Sequence, residues 1–308
     1  MHRRGLALVF LTALISGVSI FLNKYSVSVI NPYIFTFLKN AVVAVALLSL
    51  ILLLGNFKEF KKLSLRQWLN LILIGLIGGS IPFLLFFKGL SLTSSSMGSL
   101  IHKTMFAYVA VLAVIFLKEK LSKSFFIAAI LLLFGNLFLL KLNSFSFNAG
   151  DLLILIAALF WAGENILSKH ILKNLSGNTV AFGRMFFGSI FILLFLWFTE
   201  QLPLISTVNK QQFLWIIATA VLLFGYVITW YNGIKFVNIT VATSILMIGS
   251  PITTLLNLIF SSNAVNVISL AELFGIALTL IGVAIMVFFV GKLRSNLTKG
   301  YNFDKEVG

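Results

Sequence analysis

The sequence predicts an all-α polytopic membrane protein of ten transmembrane helices, arranged as two five-helix repeats of opposite orientation. Three observations carry that prediction: an extreme apolar composition, a one-sided distribution of basic residues between apolar runs, and self-similarity at a nearly constant offset. Hydrophobic residues make up 60% of the chain, charged residues 10%, and the mean hydropathy is +1.08. A soluble domain needs roughly 25% charged residues to cover its surface. In hydrocarbon every backbone group must bond internally, which leaves helices or a closed barrel. Barrel strands alternate apolar and polar residues, whereas the apolar runs here are continuous, as from Ala41 to Leu54 and from Ile127 to Leu140.

A helical span needs about 20 residues. The first repeat offers spans near 5–25, 33–54, 67–88, 94–117 and 123–141. The second offers spans near 150–170, 178–198, 211–232, 240–261 and 270–291. Asn31-Pro32, the charged stretch from Lys58 to Arg66, Lys118-Glu119-Lys120, Asn143 to Asn148 and Ser176-Gly177-Asn178 separate them. The start, Met1-His2-Arg3-Arg4 before an apolar run, shows no convincing small-residue cleavage site and reads as the first helix rather than a signal peptide. The repeats are placed at 1–142 and 149–291, with a polar cytoplasmic tail at 292–308.

Basic residues test this layout. With the N-terminus inside and loops alternating, the inside segments hold Arg3, Arg4, Lys58, Lys61, Lys62, Arg66, Lys118, Lys120, Lys123, Lys169, Lys173, Lys235, Lys292, Arg294, Lys299 and Lys305. The outside segments hold only Lys24, Lys88, Lys141 and Lys210. Cytoplasmic loops carry such an excess, and a missed or invented span would invert the bias. The expected location is the cytoplasmic membrane with both termini on the inner side. The net charge of +15 is therefore assigned to loop anchors, not to nucleic-acid binding. With no cysteine, disulfides and thiolate metal sites are excluded.

An offset of 145 lays Ala13-Leu14 over Ala158-Leu159, Lys24 over Lys169, Phe37 over Phe182 and Lys39 over Arg184. An offset of 144 pairs Gly89 with Gly233, and an offset of 147 pairs Gly135 with Gly282. Because five is odd, the second copy enters from the opposite side. Inverted repeats of this kind build many secondary transporters, whose sites lie near the midplane at the repeat interface.

Several residues resemble those of the EamA branch of the drug/metabolite transporter superfamily. Ala158-Leu159-Phe160-Trp161-Ala162 followed by Lys169 is similar to that family's first-helix pattern. Phe116-Leu117-Lys118-Glu119-Lys120-Leu121-Ser122 resembles its Phe-Leu-Gly-Glu-x-Leu-Ser/Thr turn, and Ser250-Pro251 resembles its fourth-helix proline. The resemblance covers residues 5–290. Departures are Phe106-Ala107 in place of that proline in the first repeat, Ser262-Asn263 in place of the acidic turn in the second, and Lys118 in place of the turn's glycine. The family implies a ten-helix exporter working by alternating access. Its substrates range over amino acids, purines, nucleotide sugars and phosphorylated sugars.

Four ionisable residues fall well inside spans: Lys39, Lys103, Glu164 and Arg184. An isolated charge at the bilayer centre costs at least about 2.5–3.5 kcal/mol, so each is expected to face protein or a watery cavity. Lys39 and Arg184 are repeat mates about 10 Å from opposite surfaces; they suit two vestibules, or snorkelling to headgroups. Lys103 lies near mid-span opposite an apolar mate, Met247, and is expected to face the cavity or an ion-pair partner. His102 lies about 100° round the helix from it and is read as ordinary packing or polar contact. Glu164 shares a helix face with Trp161 and Ser168; it is either a proton carrier or a fixed partner for one of the cations. Asn165 and Tyr231 complete the candidate substrate-binding set. Pro82, with Gly75, Gly78 and Gly79, marks close packing or a kink in the third span.

Three cations against one acid favour an anionic or zwitterionic solute such as an amino acid. The alternatives are an organic-cation exporter with Glu164 as its proton-coupled site, and a passive channel. Energy would come from the solute gradient, protons or a counter-substrate. There is no Walker-type glycine loop, no metal-ligand histidine spacing among three histidines and no nucleophile elbow, so neither ATP binding nor catalysis is expected. No cofactor is expected, and oligomeric state stays open.

Overall fold

The computed structural model describes residues 1–139, 147–260 and 268–290. No strand occurs among them. The helices are α1 (His2–Val29), α2 (Pro32–Leu53), α3 (Leu65–Leu92), α4 (Ser95–Leu117), α5 (Lys123–Phe138), α6 (Ala149–Ile171), α7 (Gly177–Phe198), α8 (Lys210–Ile234), α9 (Ile239–Phe260) and α10 (Leu270–Phe288). Among the described residues nine are long and apolar enough to cross a membrane, and α5, with 16 residues, is shorter. The expected end of the fifth span, near 141, lies outside the described residues, as do Ser262-Asn263 and the tail at 292–308. The fold is that of a polytopic helical membrane protein.

Helix starts follow local chemistry. Asn31, Ser64, Ser94, Ser122, Asn148, Ser176, Asn209 and Ser269 each accept a backbone N–H of the helix that they precede. Three spans are broken. The first part of α3 ends at Ile74 and gives way to a π-helical segment at Gly75–Ser80. The backbone of α4 breaks at Thr104, and α9 tightens into a short 3₁₀ turn at Leu246–Ile248 just before Pro251.

Packing repeats itself across the molecule. Helix α1 lies along α8, and α6 lies along the second part of α3; α2 meets α7, and α5 meets α10. Exchanging α1–α5 for α6–α10 maps this set of contacts onto itself. Gly5 sits against the Gly233 carbonyl, while Gly150 sits against the Gly89 carbonyl, and a Cβ at either would approach within 3.1 Å or less. The mates Lys24 and Lys169 also play one role at two helix ends. Lys24 Nζ donates to Leu90 O (3.0 Å) and Ser91 O (3.3 Å) at the end of α3, and Lys169 Nζ donates to Ile234 O and Val237 O after α8. A cation there satisfies carbonyls that the helix leaves free.

The loop at 118–122 explains one departure from the family pattern. Lys118 ends α4 in the left-handed conformation, with φ of 57°, and the Glu119 N–H reaches back to Ala113 O. Glycine adopts this geometry freely. Replacing Lys118 with Gly should therefore raise the melting midpoint slightly. Relief of about 1–2 kcal/mol of strain exceeds the ~0.4–1 kcal/mol that glycine's freedom adds to the unfolded state. A lower midpoint in a detergent melt would contradict this.

Two loop carboxylates of the first half grip helix starts of the second. Glu59 accepts from Ser176 N (2.8 Å), Ser176 Oγ (2.7 Å) and Thr179 Oγ1 (2.6 Å) at the start of α7. Glu119 accepts from Ile239 N (3.1 Å) and Thr240 Oγ1 (2.7 Å) at the start of α9. At the other face Asp151 of α6 accepts from Thr93 Oγ1 at 2.7 Å.

Candidate functional site

A cavity of about 60 Å³ lies between the two halves, walled by α1, α2, α3, α4, α6, α7 and α8. One water needs roughly 10–15 Å³ of such space, so the cavity has room for a few waters. Small-molecule pockets run to about 300–1,000 Å³, so admitting a metabolite requires the halves to move.

The acidic end begins with a missing donor. In an α-helix the Gly78 carbonyl would accept from residue 82, which is proline and has no N–H. The π-helical segment exposes that carbonyl, and it accepts Trp161 Nε1 at 2.9 Å and Arg184 Nε at 3.1 Å. Asn40 Nδ2 donates to the next carbonyl, Gly79 O, at 3.0 Å. Glu164 packs directly over Gly78, where a Cβ would come within 2.4 Å of Glu164 Cγ. Glu164 Oε1 accepts from Ser168 Oγ (2.5 Å) and Tyr231 OH (2.6 Å), and Tyr231 OH accepts from Arg184 Nη1 (3.1 Å). Arg184 and Glu164 are thus matched through a phenol. Glu164 Oε2 is buried and has no hydrogen-bond partner among the described residues.

The basic end is built from the repeat mates of these groups. Lys39 is the mate of Arg184, Asn23 of Ser168, Ser19 of Glu164 and Phe87 of Tyr231. Lys39 Nζ donates to Asn23 Oδ1 at 2.9 Å and lies 4.9 Å and 4.3 Å from the ring centroids of Phe35 and Phe87. Where the second half places an acid and a phenol, the first places a serine and a phenylalanine. Lys39 is 1% exposed and, among the described residues, has no carboxylate within ion-pair distance.

Of the residues expected from sequence, Lys39, Trp161, Glu164, Asn165 and Arg184 line the cavity. Asn165 is held by Trp230 Nε1 (2.9 Å) and by the Trp161 carbonyl (2.8 Å). Tyr231 stands behind the wall as the link between Arg184 and Glu164. Lys103 is not on the wall; its Nζ donates to Ser16 Oγ at 2.5 Å. The neighbouring His102 takes the wall position instead, edge-on to Trp161 with centroids 5.0 Å apart, and its Nδ1 lacks a partner among the described residues. Sequence reasoning missed Asn23, Phe83, Phe87, Tyr226 and Trp230 on this wall. The repeat offset could have found Asn23 and Phe87, as mates of Ser168 and Tyr231.

The sequence pattern of the EamA-like transporter family matches residues 3–141 and matches again at residues 148–288. The chain belongs to the EamA-like transporter family. It is similar to the uncharacterized transporter YyaM of Bacillus subtilis, 25% identical over 283 residues that cover 88% of this chain and 89% of that one. A second relative is an uncharacterized transporter of Methanothermobacter thermautotrophicus, 29% identical over 150 residues. That match covers 45% of this chain and 43% of the relative, so it spans less than half of that relative's length. A solved crystal structure aligns with a TM-score of 0.75 at 18% identity, covering 93% of this chain and 98% of that one, a likeness of fold alone. This EamA-like protein is a multi-pass membrane transporter, and the double match falls on either side of the segment between α5 and α6.

Proposed function

We propose that this EamA-like transporter exports a small zwitterionic or anionic metabolite, such as an amino acid, across the cytoplasmic membrane. The observation that carries the reading is the asymmetry of the two mates: Arg184 is matched by Glu164 through Tyr231, whereas Lys39 faces the cavity without a carboxylate. A substrate carboxylate or phosphate completes Lys39, and a substrate ammonium completes the free Oε2 of Glu164. Phe83, Phe86 and Trp161 supply an apolar wall between the two ends. Residues 1–142 and 149–291 act as the two repeats that rock about this site, with both termini cytoplasmic. A cavity smaller than a metabolite supports a cycle in which substrate enters only after one face opens.

One observation favours a second reading. The unpartnered Glu164 Oε2 beside aromatic rings would also suit an organic cation. A melt of the purified protein with phenylalanine, glutamate, a sugar phosphate and tetraphenylphosphonium separates the two, because a ligand of the native state raises the midpoint. Stabilisation by an amino acid or the phosphate is expected. Stabilisation by tetraphenylphosphonium alone, removed by Glu164→Gln, would replace this reading with the cation exporter.

A further inference from the structure

Lys103 is an ionisable side chain near mid-span that the cavity wall leaves out. It is 1% exposed, and among the described residues its polar contact is the Ser16 hydroxyl, with no carboxylate in reach. Glycine at position 249 leaves room for it: a Cβ there would lie 2.8 Å from Lys103 Cε and 3.1 Å from its Nζ. Ser16, unlike Lys103, belongs to the cavity wall. The ammonium is therefore one hydroxyl away from cavity water.

Its position in the backbone is equally particular. Lys103 ends the first part of α4, directly before the break at Thr104. Gly249 follows the tightened turn of α9 and precedes Pro251. Two broken spans, one from each half, thus meet α1 around a single charge. Its repeat mate, Met247, is buried and apolar, so the scaffold itself does not require a cation here.

We propose that Lys103 is the coupling-proton site of the carrier, reached from the cavity through Ser16. The proposal rests on the transport reading above. When the proton leaves, an Nζ–H bond breaks and an O–H bond forms on Ser16 Oγ, while the serine's own hydroxyl proton passes to cavity water. The amine left behind is neutral, and reloading runs the same path in reverse from water on whichever face is open. An intramembrane ionisable group off the substrate wall is a natural place for such a relay. Removing or restoring a charge where both broken helices cross changes which packing of that crossing is favoured.

The other charged groups around it are few. Between Arg4 and Lys24, α1 carries no charged residue, and α9 has no ionisable residue anywhere in 239–260. On α4, His102 turns to the cavity, and Tyr108 lies further along the second part of the span. On α6 the mid-span acid is Glu164, already held by Ser168 and Tyr231, and Asp151 at the helix start is held by Thr93; Lys39 of α2 and Arg184 of α7 belong to the cavity.

The test compares the parent with Lys103→Met, the residue its repeat mate already uses, in vesicles with radiolabelled phenylalanine. Exchange of internal for external phenylalanine needs no net proton movement, whereas accumulation driven by an imposed pH gradient does. Lys103→Met is expected to keep exchange and its melting midpoint and to lose gradient-driven accumulation. Accumulation that survives the substitution overturns the proposal. Loss of exchange in a protein that still melts cooperatively also overturns it, since Lys103 would then serve substrate binding. If the parent itself shows no exchange, the amino-acid reading fails and Lys103 is judged by lysine ε-NMR. There, a resonance that disappears in Lys103→Met and shifts with pH supports proton exchange at this site, and one that ignores pH refutes it.

Discussion

Lys39→Met is expected to cut transport by about 10-fold or more while leaving a folded protein of moderately lower stability. A buried ammonium at this depth costs about 2.5–3.5 kcal/mol. Its bond to Asn23 returns about 1.5–3 kcal/mol, and contacts with the Phe35 and Phe87 rings each return about 0.5–2 kcal/mol. The returns match or exceed the cost, and methionine leaves the buried Asn23 Oδ1 without this donor, so the midpoint should fall by the equivalent of about 1–3 kcal/mol. Binding behaves differently. A substrate carboxylate that loses a charge-assisted bond loses about 1.5–3 kcal/mol, roughly a 10- to 150-fold drop in affinity. Midpoint shifts by a bound amino acid, and uptake in vesicles, measure the two effects separately. A variant that transports normally would remove Lys39 from the substrate site. One that fails to fold would show that Asn23 and the two rings depend on the ammonium more than this balance allows.

Gly79→Ala should do the reverse, damaging the fold and the site together. A Cβ there would stand 2.0 Å from the Arg184 carbonyl oxygen and 3.0 Å from Gly188 Cα, so α3 and α7 would have to separate. Overpacking of this kind costs about 1–3 kcal/mol, and more where backbone meets backbone. Because Gly78 O anchors Trp161 and Arg184, and Gly79 O anchors Asn40, separation also frees the side chains that shape the cavity. A large drop in midpoint with loss of transport is expected. Gly163→Ala is the matched control. A Cβ at Gly163 meets nothing within 4 Å, and alanine there should stabilise α6 by up to about 1 kcal/mol. Equal effects of the two substitutions would mean that the close approach of α3 and α7 is not what Gly79 provides.

How far these features were legible in the sequence depends on what each one rests on. Spans are written in composition, because a continuous apolar run either is or is not long enough. Depth is written too: Lys39 and Arg184 are mates by offset, and counting from the helix ends gives each its level. The direction in which a side chain points is not written in the same way. A helix that is apolar all round has no polar stripe to fix its rotation, and α4 changes course at Thr104. The sequence showed that His102 and Lys103 could not both face one way, and only packing decides that His102 faces the cavity. Proline's missing N–H at position 82 was visible. Its consequence, a carbonyl shared by Trp161 and Arg184, needed the third dimension. Tyr231 could be named as a candidate, but its role as a bridge between a cation and an acid depends on three helices meeting.

The grips of Glu59 and Glu119 have a consequence in time. The halves cannot part at the face carrying the 58–66 and 118–123 loops without releasing both carboxylates, whereas at the opposite face, among the described residues, Asp151 is the one acid that bonds across the same boundary. Net contributions of about 1.5–3 kcal/mol for each such bond have to be given up before that face parts. Under the alternating-access cycle proposed above, a carrier biased in this way dwells with one door shut and visits the other arrangement briefly. Its dwell times on the two sides are unequal even when no gradient is present.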